Sequence, residues 1–186
     1  MKALVLVDIQ NDFLPGGSLA VPHGDEVIAV ANRWMEKFEL VVATQDWHPE
    51  GHVSFGVWPV HCVQGSAGAE LAAGLDRDGI DVVVRKGVDV GIDSYSGFFD
   101  NEHRKATGLH ELLQRRGVTE IYVMGLATDY CVKFTALDAR KLGYVVKLVV
   151  EGCRGVEVNV GDVERAMAEM RAAGVEMVGG DLFDGT

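Results

Sequence analysis

Three cysteines, Cys62, Cys131 and Cys153, form an odd set without regular spacing, so they do not read as a disulfide framework and leave at least one thiol free for chemistry. Cys131 has the most suggestive neighbours. It closes the run Gly125-Leu126-Ala127-Thr128-Asp129-Tyr130-Cys131, where Thr128 or Asp129 is placed to cap a helix and put the sulfur in its first turn. Backbone N–H groups there favour the thiolate, the form of cysteine that attacks carbonyl carbon. The same segment also reads as a buried structural thiol, since free cysteine packs as a small apolar residue. Two other residues bear on the choice. Lys86, if close, lowers the thiol pKa, and the carboxylate of Asp8 is suited to take the thiol proton and return it to a departing amine.

A second group lies in Asp46-Trp47-His48-Pro49-Glu50-Gly51-His52 and, further on, Trp58-Pro59-Val60-His61-Cys62. Carboxylate and imidazole ligands in one loop suit zinc, iron or manganese, with positions left open for water or substrate. His52 stays open between a direct ligand, a partner behind a ligand and an ordinary loop residue. Cys62 reads as a packed thiol, because adjacent residues rarely point at one centre. His23, His103 and His110 have no comparable company and are expected in solvent. Phe13 and Trp58 flank these groups, and each reads either as a core aromatic or as a ring that stacks on a flat ligand.

Bringing these residues together requires a scaffold, and the apolar pattern describes one. Short β-branched runs at residues 3–7, 40–43, 82–84, 121–124, 145–150 and 175–178 are nearly continuous in apolar character, as strands are when helices cover both faces of a parallel sheet. Helical periodicity fills residues 25–37, 109–116, 129–142 and 163–173, the last three followed by Gly117, Gly143 and Gly174 at positions suited to a left-handed cap. The alternation predicts an α/β fold: a doubly wound, mostly parallel central sheet with helices on both faces, spanning residues 1–186 as one domain. Right-handed crossovers gather the loops after the strands along one edge, where ligands bind. Asp8, Asp46 with His48, Lys86 and the turn from Ala127 to Cys131 all follow predicted strands. Residues 46–68 are too long and too rich in aromatic, His, Pro and Gly residues for a plain connector, which marks a functional loop. The paired glycines Gly16 and Gly17 do not have the spacing of a phosphate-binding fingerprint.

Composition narrows the partners. With 48% hydrophobic and 24% charged residues in 186, the chain has the make-up of a globular protein with a real core. A formal net charge of -11 without a basic run argues against nucleic acid and against an anionic membrane surface. The apolar start is short and meets Asp8 at once, unlike a signal peptide, and no stretch approaches the roughly 20 residues of a membrane span, so a cytoplasmic location is expected.

Several segments taken jointly are highly specific: Val7-Asp8-Ile9-Gln10-Asn11-Asp12-Phe13 with the following Pro15-Gly16-Gly17, the two metal-loop runs, Arg85-Lys86-Gly87, Tyr95-Ser96-Gly97-Phe98, and the run from Gly125 to Val132. Over nearly its full length the chain resembles the nicotinamidase/pyrazinamidase branch of the isochorismatase-like cysteine hydrolases. The resemblance implies a metal-dependent amidase that converts nicotinamide, and also pyrazinamide, to the acid and ammonia through a cysteine thioester. It implies Asp8, Lys86 and Cys131 as the catalytic triad, and Asp46, His48 and His61 as ligands of zinc or iron. It further implies Phe13 and Trp58 as the ring clamp, Tyr130 as a residue tuning which ring substituents fit, and a cis Leu126–Ala127 peptide that turns the Ala127 and Cys131 amides toward the oxyanion. A homo-oligomer is compatible with it. The stretch between His52 and Trp58 is short for the family, which predicts a smaller lid.

Two other readings stand beside this one. A relative acting on a different carboxamide or on a carbamoyl compound would work without the metal. A thiol redox or metal-sensing protein would bind without turnover, although no resolving cysteine lies near Cys131.

Overall fold

The computed structural model describes residues 1–179, and residues 180–186 of the expected domain lie outside the described residues. Six strands form one parallel sheet in the order β3-β2-β1-β4-β5-β6: β1 (Lys2–Val7), β2 (Val41–Asp46), β3 (Val82–Lys86), β4 (Glu120–Leu126), β5 (Val145–Arg154) and β6 (Glu176–Val178). Every residue of β2, and all of β1 after Lys2, is buried, so the unbroken apolar runs reflect cover on both faces. Four α-helices supply much of it: α1 (Glu26–Met35), α2 (Leu109–Arg115), α3 (Lys133–Lys141) and α4 (Asp162–Ala172). The chain steps from β1 to β2 in one direction and from β4 to β5 and β6 in the other. Right-handed crossovers therefore put α1 on one face and α3 and α4 on the opposite face.

The reversal has a consequence for function. The loops leaving β1 and β4 diverge, and a crevice opens at the carboxyl ends of these neighbouring strands. Asp8 follows β1 and Cys131 follows β4, so both stand at that crevice. Close backbone packing brings the strands together there. Gly125, paired with Val7, has φ of 127°, and a Cβ on it would fall 2.1 Å from the Val7 carbonyl oxygen.

Two expectations need correction. The helix expected over residues 129–142 begins instead with a π-helical turn, Thr128–Val132, and α3 proper starts at Lys133. His110 is half-buried rather than free in solvent, its Nδ1 2.9 Å from the Tyr144 hydroxyl, whereas His103 is exposed as expected, with Nε2 3.1 Å from Asp138 Oδ1. Among the described residues no helix is long and apolar enough to cross a membrane.

Candidate active site

Asp8 adopts a left-handed backbone, φ 49°, directly after β1. This conformation is uncommon outside glycine but more accessible to Asp than to most side chains. Thr44, in the neighbouring strand β2, fixes the result. Its hydroxyl accepts the Asp8 N–H at 3.2 Å and donates to Asp8 Oδ1 at 2.6 Å, so one carboxylate oxygen is held and the other is left to act. Among the described residues Asp8 Oδ2 has no hydrogen-bond partner, although Lys86 Nζ stands 2.9 Å away as its ion-pair partner.

Asp46 and Lys86 end β2 and β3 as register partners. The Lys86 ammonium is buried with Asp8 and donates to Asp46 Oδ1 at 2.5 Å, to the Ser94 carbonyl at 2.7 Å and to Cys131 Sγ at 3.5 Å. Such a cation survives out of water only because carboxylates surround it. Burial opposes its charge, but Asp46 and Asp8 outweigh that and hold its pKa well above the usual lysine value. Burial pushes Asp8 upward, with Lys86 pulling it down and Asp46 adding to the rise. Cys131 is likewise pushed up by burial against the pull of Lys86. The resting sulfur is therefore a thiol, and beside it stands a carboxylate with raised proton affinity.

This corrects the expected activation of Cys131 by a capped helix start. The residue before the turn, Ala127, makes no side-chain cap, and Asp129 turns away to accept the N–H groups of Val156 and Glu157. Cys131 does lie in the first turn leading into α3, but without the expected side-chain cap, and the Lys86 ammonium stands 3.5 Å from its sulfur. The Leu126–Ala127 peptide is cis, as the resemblance implied.

Beside this group, one donor atom each from Asp46, His48 and His61 lies within 4.8 Å of the other two. His48 Nδ1 lies 2.8 Å from the Gly87 carbonyl and His61 Nδ1 lies 2.7 Å from the Pro59 carbonyl. A carbonyl only accepts, so both Nδ1 atoms carry the proton and both Nε2 atoms present a lone pair. Among the described residues the buried His48 Nε2 has no hydrogen-bond partner, with Asp46 Oδ2 3.5 Å away. An orphaned imidazole nitrogen facing a carboxylate and a second imidazole fits a divalent metal. Burial pushes His61 down and keeps it neutral, as a ligand must be. His48 is also opposed by burial, but Asp46 outweighs it and raises its pKa. Gly87 is required beside the ring. Its φ is 63°, and a Cβ there would lie 2.4 Å from His48 Cε1.

His52 has partners of its own: Nδ1 accepts from the Ser54 hydroxyl at 2.7 Å, and Nε2 donates to the Ile92 carbonyl at 3.2 Å. Its ring stacks on His48 with centroids 4.0 Å apart, so it props that ring from behind. Cys62 is buried, as expected of a packed thiol, and its N–H donates to Asp12 Oδ2.

A cleft opens over both groups. Phe13, Trp58, Tyr95 and Tyr130 supply aromatic walls, Leu126, Ala127 and Val156 add apolar ones, and Asp46, His61, Asp93 and Cys131 reach it with polar atoms. Every residue expected at the site lies there or directly beneath it. Four contributors were not read from the sequence. Thr44 orients Asp8, and Tyr95 accepts the Trp58 indole N–H at 3.1 Å. Gln10 accepts the Asp46 N–H and donates to the Asp46 carbonyl, each at 2.8 Å, and an Asp93 oxygen comes within 4.8 Å of the His48 and His52 nitrogens. Only Gln10 and Tyr95 had a signal, as members of the quoted segments.

A family model described as the isochorismatase domain matches residues 2–181. A nicotinamidase from Escherichia coli is 48% identical over 95% of this chain and 93% of its own length. A protein from L. infantum, solved in complex with nicotinate, is 43% identical, covers 97% of this chain and 93% of its own, and superposes with a TM-score of 0.93. The pyrazinamidase of Pyrococcus horikoshii, solved in complex with zinc, is 41% identical with a TM-score of 0.86, covering 96% of this chain and 98% of its own. With a family model matched along nearly its whole length and relatives this similar, the chain belongs to the isochorismatase-domain family.

Proposed function

We propose that the chain hydrolyses nicotinamide to nicotinate and ammonia through a thioester on Cys131, and accepts pyrazinamide as a second flat carboxamide. The observation that carries the reading is the buried Lys86 ammonium held between Asp8, Asp46 and the Cys131 sulfur beneath an aromatic cleft. A nicotinamidase among the relatives, a nicotinate complex and a zinc complex support it.

Asp8 takes the Cys131 proton on Oδ2, the oxygen without a hydrogen-bond partner. The sulfur bonds to the carboxamide carbon, and the charge that develops on oxygen meets the backbone N–H groups of Ala127 and Cys131. Asp8 passes the proton to the amide nitrogen, the C–N bond breaks, and ammonia leaves a thioester. Water then gives its proton to Asp8 and its oxygen to the acyl carbon, the C–S bond breaks, and Asp8 returns the proton to the departing sulfur, which restores the thiol. Lys86 holds the two carboxylates and the sulfur in one constellation throughout. Phe13, Trp58 and Tyr130 clamp the ring.

Asp46, His48 and His61 would hold zinc, iron or manganese, which when bound supplies a Lewis-acid centre for a ring nitrogen and for water. The orphaned His48 Nε2 favours this over a metal-free amidase. Three free thiols suit a reducing, cytoplasmic setting. A coupled ammonia assay tests the reading: nicotinamide should be turned over, activity should fall with a chelator, and added zinc or iron should restore it. Absence of ammonia release with every metal tried rejects it.

A further inference from the structure

Residues 155–161 join β5 to α4, and Val156 among them lines the cleft together with Ala127, Tyr130 and Cys131. This segment is held from the nucleophile's own turn. Asp129, 5% exposed and two residues before Cys131, accepts the Val156 N–H on Oδ1 at 2.9 Å and the Glu157 N–H on Oδ2 at 2.8 Å. Gly155 allows the approach, because a Cβ on it would lie 3.1 Å from Asp129 Oδ1 and 2.1 Å from Val163 Cγ2. Glu157, itself at φ 55°, secures the far end by accepting the N–H groups of Gly161 at 2.5 Å and Val163 at 3.2 Å. The rest of the segment is exposed, Val158 at 55% and Val160 at 95%, and among the described residues is tied only to α4, where the Asn159 N–H donates to Asp162 Oδ2 at 2.8 Å and the Val160 carbonyl accepts from Arg165 at 3.3 Å. A stretch with so few buried apolar contacts opens at low free-energy cost unless polar bonds hold it. Bonds from amides to a buried carboxylate are the strong kind.

We infer that Asp129 is a positioning residue that ties segment 155–161 to the turn carrying Cys131, so that one carboxylate sets both the Val156 wall and its spacing from the sulfur. It therefore governs how tightly a flat ring is held. The inference rests on the proposed role of Cys131 and of the cleft.

The test uses Asp129→Ala, Asp129→Asn, Val156→Ala and the Asp129→Ala/Val156→Ala double variant of the metal-loaded enzyme. Kinetics on nicotinamide are measured with the iodoacetamide alkylation rate of Cys131, read by peptide mapping, and with amide exchange at Val156 and Glu157. Asp129→Ala should raise KM about tenfold while kcat stays within about threefold, because ring binding is lost and the nucleophile is retained. Cys131 alkylation and both amide exchanges should accelerate. Asp129→Asn, which keeps one accepting oxygen, should fall between, and it carries the same readouts if the alanine variant does not fold. The double variant should bind no worse than about twofold beyond the weaker single, since both changes remove one wall. Unchanged exchange at Val156 and Glu157, KM effects that multiply, or a kcat loss at constant KM overturns the inference. If the unmodified enzyme releases no ammonia, the substrate reading fails, and alkylation with exchange still decides the role of Asp129.

Discussion

Asp46 and Lys86 face each other in register at the ends of neighbouring parallel strands, and their side chains meet at 2.5 Å. Asp46 thereby belongs to two groups at once. One oxygen holds the ammonium that stands against the Cys131 sulfur, and the other lies 3.5 Å from His48 Nε2 in the metal-ligand group. The proposed hydrolytic and metal centres share a carboxylate. Lys86 holds Asp46 well below the usual carboxylate range against the upward push of burial, so it stays ionised for both tasks.

Removing that cation should be felt in stability as well as turnover. Lys86→Met leaves Asp8 and Asp46 buried without their counter-charge, and breaking a buried pair in this way costs about 3–5 kcal/mol. We expect a lower urea midpoint and ammonia release reduced about a thousandfold or more. Lys86→Arg should not rescue it, because a planar fork cannot meet Asp8, Asp46 and the Ser94 carbonyl as the compact ammonium does. Near-normal turnover in the Met variant would remove Lys86 from the mechanism.

Metal binding should depend on a residue with no donor side chain. Gly87 gives its carbonyl to His48 Nδ1 and has no Cβ, which would otherwise lie 2.4 Å from the imidazole. Gly87→Ala should displace the ring and lower metal content per chain, measured by elemental analysis, about as far as His61→Ala does; loss of an outer partner commonly costs about 10–100-fold in affinity. Cys131→Ala should keep its metal and lose ammonia release. Full metal loading of Gly87→Ala contradicts the ligand assignment.

The three thiols should differ in reactivity. Burial pushes all three thiols up, Cys153 to about 12, so what sets Cys131 apart is the Asp8 carboxylate grouped with its sulfur as a proton acceptor. Cys131 also lines the cleft. Iodoacetamide near neutral pH should therefore label Cys131 alone, and bound nicotinate should protect it; peptide mapping that finds Cys62 or Cys153 labelled at a similar rate counts against the picture.

Much of this was legible in the sequence, for physical reasons. Parallel strands buried on both faces must be apolar throughout, so 3–7 and 40–43 stood out, and residues ending such strands must meet at one edge. The local form of the nucleophile turn was not legible. Asp129 has the sequence position of a helix cap, but the Val156 and Glu157 amides, remote in sequence, claim its carboxylate. The same holds for Thr44. It reads as an ordinary β-branched strand residue, and only the pairing of β1 with β2 brings its hydroxyl to Asp8.

Glu120 offers a test of electrostatics away from the site. It opens β4 between Lys2 of β1, at 3.7 Å, and Lys147 of β5, at 3.2 Å. Burial alone would raise its pKa, but hydrogen bonds from Tyr122 and Lys147 and the charges of Lys147 and Lys2 outweigh that and lower it. A carboxyl lowered on folding adds stability above its unfolded pKa and loses that contribution as pH falls through the folded value. Glu120→Gln should therefore cost about 1 kcal/mol near neutral pH, the upper range for partly exposed pairs. The difference from the unmodified protein should shrink as pH falls from the unfolded glutamate range through the lower folded value, where both forms become neutral at this position. Urea midpoints across that range decide it: a difference that persists at acid pH assigns the effect of Glu120 to packing rather than to charge.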